Sequence, residues 1–238
     1  MRGIMSTNLI KIDYPPLDRM RVSKRLIGGG FLVILVLSLV GLGIVHLCTP
    51  SALTRWDDHV NTWFYLHRTP KLNSLTSFGG SFGGAPISIG LMVLMFIVFR
   101  LWLKRWRESW TVFFALVGQP IIFLSVELIV KRPRPNVPHI GVAPPSFSFP
   151  SGHVGAAVVL YVCIAIIIWR QLQLRWLALL IAAALWVVPV VVGYSRMYEG
   201  MHHPIDVIFA FIGFGIWLSL VLTNLIPSVK KQSELLNK

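Results

Sequence analysis

The sequence predicts an all-α fold, an integral membrane bundle of six helices with its active-site loops at the outer face, and three observations carry that prediction. Hydrophobic residues make up 55% of the 238 and charged residues only 13%, at a mean hydropathy of +0.71. That balance is too apolar for a soluble domain of this length. Six runs are long and apolar enough to cross a hydrocarbon core of ~30 Å, which takes about 20 residues apiece: residues 26–47, 86–103, 110–130, 153–169, 176–194 and 204–226. The basic residues, finally, are distributed unevenly around these runs.

The predicted organisation is a basic tail over residues 1–25, a six-helix domain over 26–227 and a second tail over 228–238. The first run has the basic approach of a signal peptide. It exceeds the ~7–15-residue apolar stretch of such peptides and lacks a small-residue exit, so it reads as a retained helix. Fifteen of the 22 Lys and Arg residues lie before the first helix, between helices two and three, between four and five, or after six. The other seven, Arg55, Arg68, Lys71, Lys131, Arg132, Arg134 and Arg196, lie on the opposite side. The positive-inside rule then puts both termini in the cytoplasm of a multi-pass cell-membrane protein. The net charge of +13 is accounted for by this orientation and by anionic headgroups, and no nucleic-acid partner is expected. Cys48 and Cys163 fall at the outer end of helix one and inside helix four, too far apart for a disulfide.

Between the first two spans, Val60, Trp63, Phe64 and Leu66 are spaced for an interfacial amphipathic helix. Asp57, Asp58 and His59 resemble a metal cluster, but they stand at its expected start, where acidic side chains cap exposed amides. The tandem "TSFGGSFGG" of residues 76–84 has neither the lysine nor the strand context of a nucleotide-binding loop. Its glycines suit a turn or a close helix approach.

Polar residues concentrate in two outer segments, 130–153 and 193–207. From His153 the chain runs inward for seventeen residues to Arg170, turns, and returns through nineteen to Ser195, so "PSGH" (150–153) and Ser195–Arg196 share a depth. Arg134 reaches that level from the end of helix three. Arg134 and Arg196 offer planar forks matched to phosphoryl oxygens. Ser151 and Gly152 bring a hydroxyl and an open amide to a helix start, which attracts anions. Asp206 lies four residues after His202, so its carboxylate can accept from one imidazole nitrogen and leave the other free as a nucleophile. His153 remains to protonate the departing oxygen. No thiol or carboxylate cage is available, so neither a metal nor another cofactor is expected. His139 is assigned no role, His203 neighbours the nucleophile, and Arg132 stands equally well for a headgroup contact or a substrate contact.

These residues resemble the type 2 phosphatidic acid phosphatase superfamily of lipid phosphatases, which shares its site with vanadium haloperoxidases. "PSGH" and "SRMYEGMHHPID" match two family motifs in order and spacing, and Arg134–Pro135 supplies the end of a third. The resemblance implies a phosphohistidine on His202, oriented by Asp206, with His153 as acid and Arg134, Ser151, Gly152 and Arg196 binding phosphate. Glu127 stands where the family has a lysine, seven residues before Arg134. Either Lys131 substitutes for that lysine, with Glu127 holding it at i,i+4, or phosphate affinity is weakened. The implied function is a metal-independent phosphatase of lipid phosphates or diphosphates, whose partners are its lipid phosphate substrate and membrane lipids. An outward site makes undecaprenyl diphosphate a reasonable substrate, with phosphatidylglycerophosphate, phosphatidate and diacylglycerol diphosphate open. A lipid phosphotransferase and a weakly active or non-catalytic lipid-binding protein are the alternatives.

Overall fold

The computed structural model describes residues 14, 16–47, 51–143 and 145–226. Most of the two terminal tails, and Cys48, lie outside them. Among the described residues every regular element is a helix, and six are long and apolar enough to cross a membrane.

Helix α1 (Arg19–Leu42) is started by Asp18, whose carboxylate accepts from the Arg21 amide, and it runs on through a π-helical stretch to Leu47. It therefore begins seven residues before the expected apolar run, because a cap and helix-forming basic residues extend it into the polar approach. Helix α2 (Ala52–Leu66) is the expected amphipathic segment. Its cap, though, is Ser51, in a reciprocal capping box with Thr54. Helix α3 (Pro70–Ser81), capped by Thr69 with Pro70 at its first position, was not foreseen. It is too short and too polar to span the bilayer, and the glycine repeat turns out to be its last turn and the corner leading into α4 (Ala85–Leu103).

Helix α5 (Arg107–Val130) is followed by an irregular segment that lies over the bundle. The fourth span then begins as α6 (Gly152–Ala157), passes through a π-helical stretch over Val158–Val162 and ends as α7 (Cys163–Gln171). Helices α8 (Arg175–Tyr198) and α9 (Pro204–Leu225) complete the fold. The fourth span is the most buried of the six and forms the axis of the bundle, while α4 and α8 turn most of their apolar surface outward to lipid. Packing around the axis is close. A methyl group on Gly118 of α5 would sit 2.1 Å from the Trp217 ring of α9, and the indole donates to the Ala115 carbonyl at 3.0 Å. Small residues at crossings are what allow helices to associate in lipid, where hydrophobicity gives no preference for protein over acyl chain. The ends of α5, α6, α8 and α9 beside the 130–153 segment meet, with α3 packed against α8.

Candidate active site

Three of the expected site segments meet at one end of this bundle. Ser151 is the N-cap of α6, with its hydroxyl accepting from the Val154 amide and its own amide donating to the Asp206 carbonyl. Gly152 follows, its carbonyl held by Gln119 Nε2 at 3.1 Å. His153 occupies the first turn of α6, half-buried, in the field of both Arg196 and Arg134. The first amides of such a helix have no intrahelical acceptor, so this corner is positive.

His202 sits in the short corner between α8 and α9 and is almost completely buried. Its Nδ1 lies 2.8 Å from the Ser148 carbonyl oxygen and donates to it. That bond fixes the tautomer and leaves Nε2 with a free lone pair. Burial pushes the His202 imidazole down to about 3, against the opposing pull of Asp206. The nitrogen therefore stays unprotonated at neutral pH.

The expected His202–Asp206 hydrogen bond is corrected by this geometry, since the two lie 3.9 Å apart. Asp206 is the third residue of α9, and a carboxylate there turns back to cap its own helix. Oδ2 accepts from the His203 amide at 2.8 Å and lies 3.2 Å from His203 Nδ1, while Oδ1 accepts from Arg132 at 2.5 Å. Asp206 thus acts on His202 through its charge alone, and a main-chain carbonyl does the orienting. Ser148 is itself pinned, its amide donating to the Arg132 carbonyl and its hydroxyl to the Pro133 carbonyl, both at 2.8 Å. Sequence reasoning missed Ser148 because a backbone oxygen leaves no signature in residue type.

Arg132, for which the sequence left a headgroup and a substrate contact equally open, is turned to the protein interior. It is buried and spans two carboxylates, Asp206 and Asp57, at 2.5 Å each. Asp57 also accepts from the Ile205 amide at 3.0 Å, so it is a brace under the corner between α8 and α9 and not a cap of α2. One turn on, Asn61 Nδ2 donates to the His202 carbonyl at 3.1 Å.

The two arginines expected to face phosphate are held differently. Arg134 donates to the Ser146 carbonyl, the Ser146 hydroxyl and the Met201 carbonyl. Arg196 gives Nη1 to Glu199 at 2.6 Å, and its buried Nε has no acceptor. Burial, then the like charge of Arg196, lowers the proton affinity of Arg134. Two desolvated cations side by side repel, and an anion placed between them relieves the repulsion.

Among the described residues, Lys131 and Glu127 do not form the expected i,i+4 side-chain pair. The helix ends at Val130, and Lys131 caps it in the left-handed conformation with φ 51°, its amide still donating to the Glu127 carbonyl at 3.1 Å. It is exposed, whereas Glu127 is buried and its Oε1 has no hydrogen-bond partner. The glycine repeat has a direct bearing on the site, since a methyl group on Gly83 would fall 2.5 Å from the His153 carbonyl oxygen and one on Gly79 2.8 Å from Ser195 Oγ. His139 is exposed on the overlying segment. Among the described residues no group of three His, Cys, Asp or Glu is disposed to hold a metal ion.

A family model, the PAP2 superfamily, matches residues 108–229. The chain is 25% identical over 185 residues to phosphatidylglycerophosphatase B of Bacillus subtilis (strain 168), covering 76% of this chain and 88% of that protein. Among solved structures, the transmembrane PAP2-type phosphatidylglycerolphosphate phosphatase from Bacillus subtilis superposes with a TM-score of 0.69 at 25% identity, over 83% of this chain and 94% of that one. Aquifex aeolicus LpxE shares the fold, with a TM-score of 0.54 at 21% identity over 70% of this chain and 93% of its own.

Proposed function

The chain belongs to the PAP2 superfamily, and from that membership we propose that it hydrolyses lipid phosphates or diphosphates, without a metal, through a phosphohistidine on His202. The observation that carries the reading is the fixed tautomer of His202, whose free Nε2 lies in the field of two arginine cations. Phosphatidylglycerophosphate, suggested by the named relatives, and undecaprenyl diphosphate, suggested by an outward-facing site, are the substrates in view.

In the first step Nε2 attacks phosphorus, the N–P bond forms and the P–O bond to the lipid breaks, with His153 giving its proton to the departing oxygen. Arg134 and Arg196 carry the equatorial charge, Arg196 through the Nε that Glu199 leaves free. In the second step His153 takes a proton from water, the oxygen attacks the phosphohistidine, the N–P bond breaks and inorganic phosphate leaves. Asp206 and Ser148 stabilise the imidazolium character that develops on His202, one by charge and one by hydrogen bond.

Phosphate release from a panel of purified lipid phosphates, in detergent micelles containing EDTA, tests the reading. Activity is expected to persist in the chelator and to fall about a thousandfold or more in His202→Ala, the ~4 kcal/mol typical of removing an essential group. His203→Ala is expected to lose far less. An active His202→Ala, or activity abolished by EDTA and restored by magnesium, would overturn it.

A further inference from the structure

Among the described residues the site leaves two buried polar atoms unanswered. One is a donor, Arg196 Nε, and the other is an acceptor, Glu127 Oε1. The position of Glu127 follows from helix α5. Gln119 Nε2 holds the Gly152 carbonyl, and the Phe123 ring lies so close to Gly152 that a methyl group there would meet it at 3.1 Å. Residues four apart share a helix face, so Glu127 continues the line of Gln119 and Phe123 one turn nearer the outer end of α5. The Arg134 guanidinium lies in the field of both Glu127 and Arg196.

Among the described residues nothing answers Glu127 Oε1. Arg134 spends its bonds on Ser146 and Met201, and Lys131 is exposed beyond the end of the helix. A buried carboxylate oxygen with no donor is costly, and its neighbourhood is where a phosphate ester is to bind. A fully deprotonated phosphoryl group satisfies Arg196 Nε and repels Glu127. A ligand that also brings a hydrogen-bond donor satisfies both.

Resting on the lipid phosphatase reading above, we propose that Glu127 is a specificity-determining residue that accepts a hydrogen bond from the substrate itself, from an O–H or N–H carried close to the scissile phosphorus. Two sources supply such a donor, a hydroxyl or ammonium on the headgroup and the proton of a singly protonated phosphoryl group.

The test compares kcat/KM for two lipids with the same acyl chains, dioleoyl phosphatidylglycerophosphate, which has a hydroxyl beside the phosphate ester, and dioleoyl phosphatidate, which has none, from pH 5.5 to 8.5. If the headgroup is the source, Glu127→Leu lowers the ratio of the two at least tenfold at every pH. If the phosphoryl proton is the source, the wild type loses activity on both lipids as pH rises past the second phosphate pKa of about 6, and Glu127→Leu abolishes that decline. Glu127→Gln, close in volume but uncharged, shifts the same readout in the same direction by a smaller factor and stands in should the leucine variant fail to fold. An unchanged ratio together with an unchanged pH profile in an active, folded variant overturns the role of Glu127 and leaves the phosphatase reading intact. A wild type that releases no phosphate from either lipid overturns both.

Discussion

His202 joins two facts that usually conflict, near-complete burial and a polar task, and the Ser148 carbonyl reconciles them by accepting from Nδ1. Burial of the neutral ring also links stability to pH. The native imidazole is pushed down to about 3, whereas an unfolded histidine titrates near ~6.5. Above that value both states carry a neutral ring, and the stabilisation from this residue is complete. As pH falls further, the unfolded chain takes up a proton that the native state refuses, so stability drains away down to the native value. Melting temperatures measured in detergent between pH 8 and pH 4 should therefore fall more steeply for the wild type than for His202→Gln. Parallel curves would mean that the native ring is not buried in its neutral form. His203, beside it, has its Nδ1 3.2 Å from an Asp206 oxygen and its Nε2 3.8 Å from Asp58. The family spacing separated the two histidines, and the structure adds a reason.

At the level of elements, α2 matters more than an interfacial helix would suggest. Asp57 and Asn61, one turn apart, hold the Ile205 amide, the Arg132 guanidinium and the His202 carbonyl, so α2 sets the position of the corner that carries His202. Removing one partner of a buried ion pair typically costs ~3–5 kcal/mol. Asp57→Ala is accordingly expected to lower the melting temperature strongly. Asp57→Asn keeps an acceptor for Ile205 and should fold while losing kcat more than it raises KM. Equal activity in Asp57→Asn and wild type would relegate α2 to anchoring. The amphipathic spacing of α2 was legible because it is a local pattern. The use of Asp57 was not, because its partners stand 75 and 148 residues away and an acidic residue near a helix start has a sufficient local explanation. Helix α3 escaped for a related reason. It is neither apolar enough to read as a span nor long enough to announce itself, although its glycines do serve the close helix approach that their spacing suggested, as contact surface against the His153 and Ser195 segments.

On the scale of the whole molecule, the six spans were readable because the bilayer imposes one length and one composition on every crossing. The equal legs of the fourth and fifth spans then brought "PSGH" and Ser195–Arg196 to one depth with no knowledge of lateral packing. Lateral packing decided the rest: which helix is the axis and which arginine is held between two carboxylates. Six crossings also return the chain to the side from which it started, so the two ends of the described fold share one face and the catalytic corner occupies the other. By the positive-inside rule, the excess of basic residues beside the chain ends predicts that this face is cytoplasmic and that the His202 corner opens outward. Val142 lies on the segment over the site and is 95% exposed, while Gln173 lies in the opposite turn between α7 and α8. In a Cys48→Ser background, with Cys163 fully buried, Val142→Cys should react with a membrane-impermeant maleimide in intact cells, and Gln173→Cys only after permeabilisation. The reverse pattern would turn the site to the cytoplasm and remove outer-leaflet lipid phosphates from the candidate substrates.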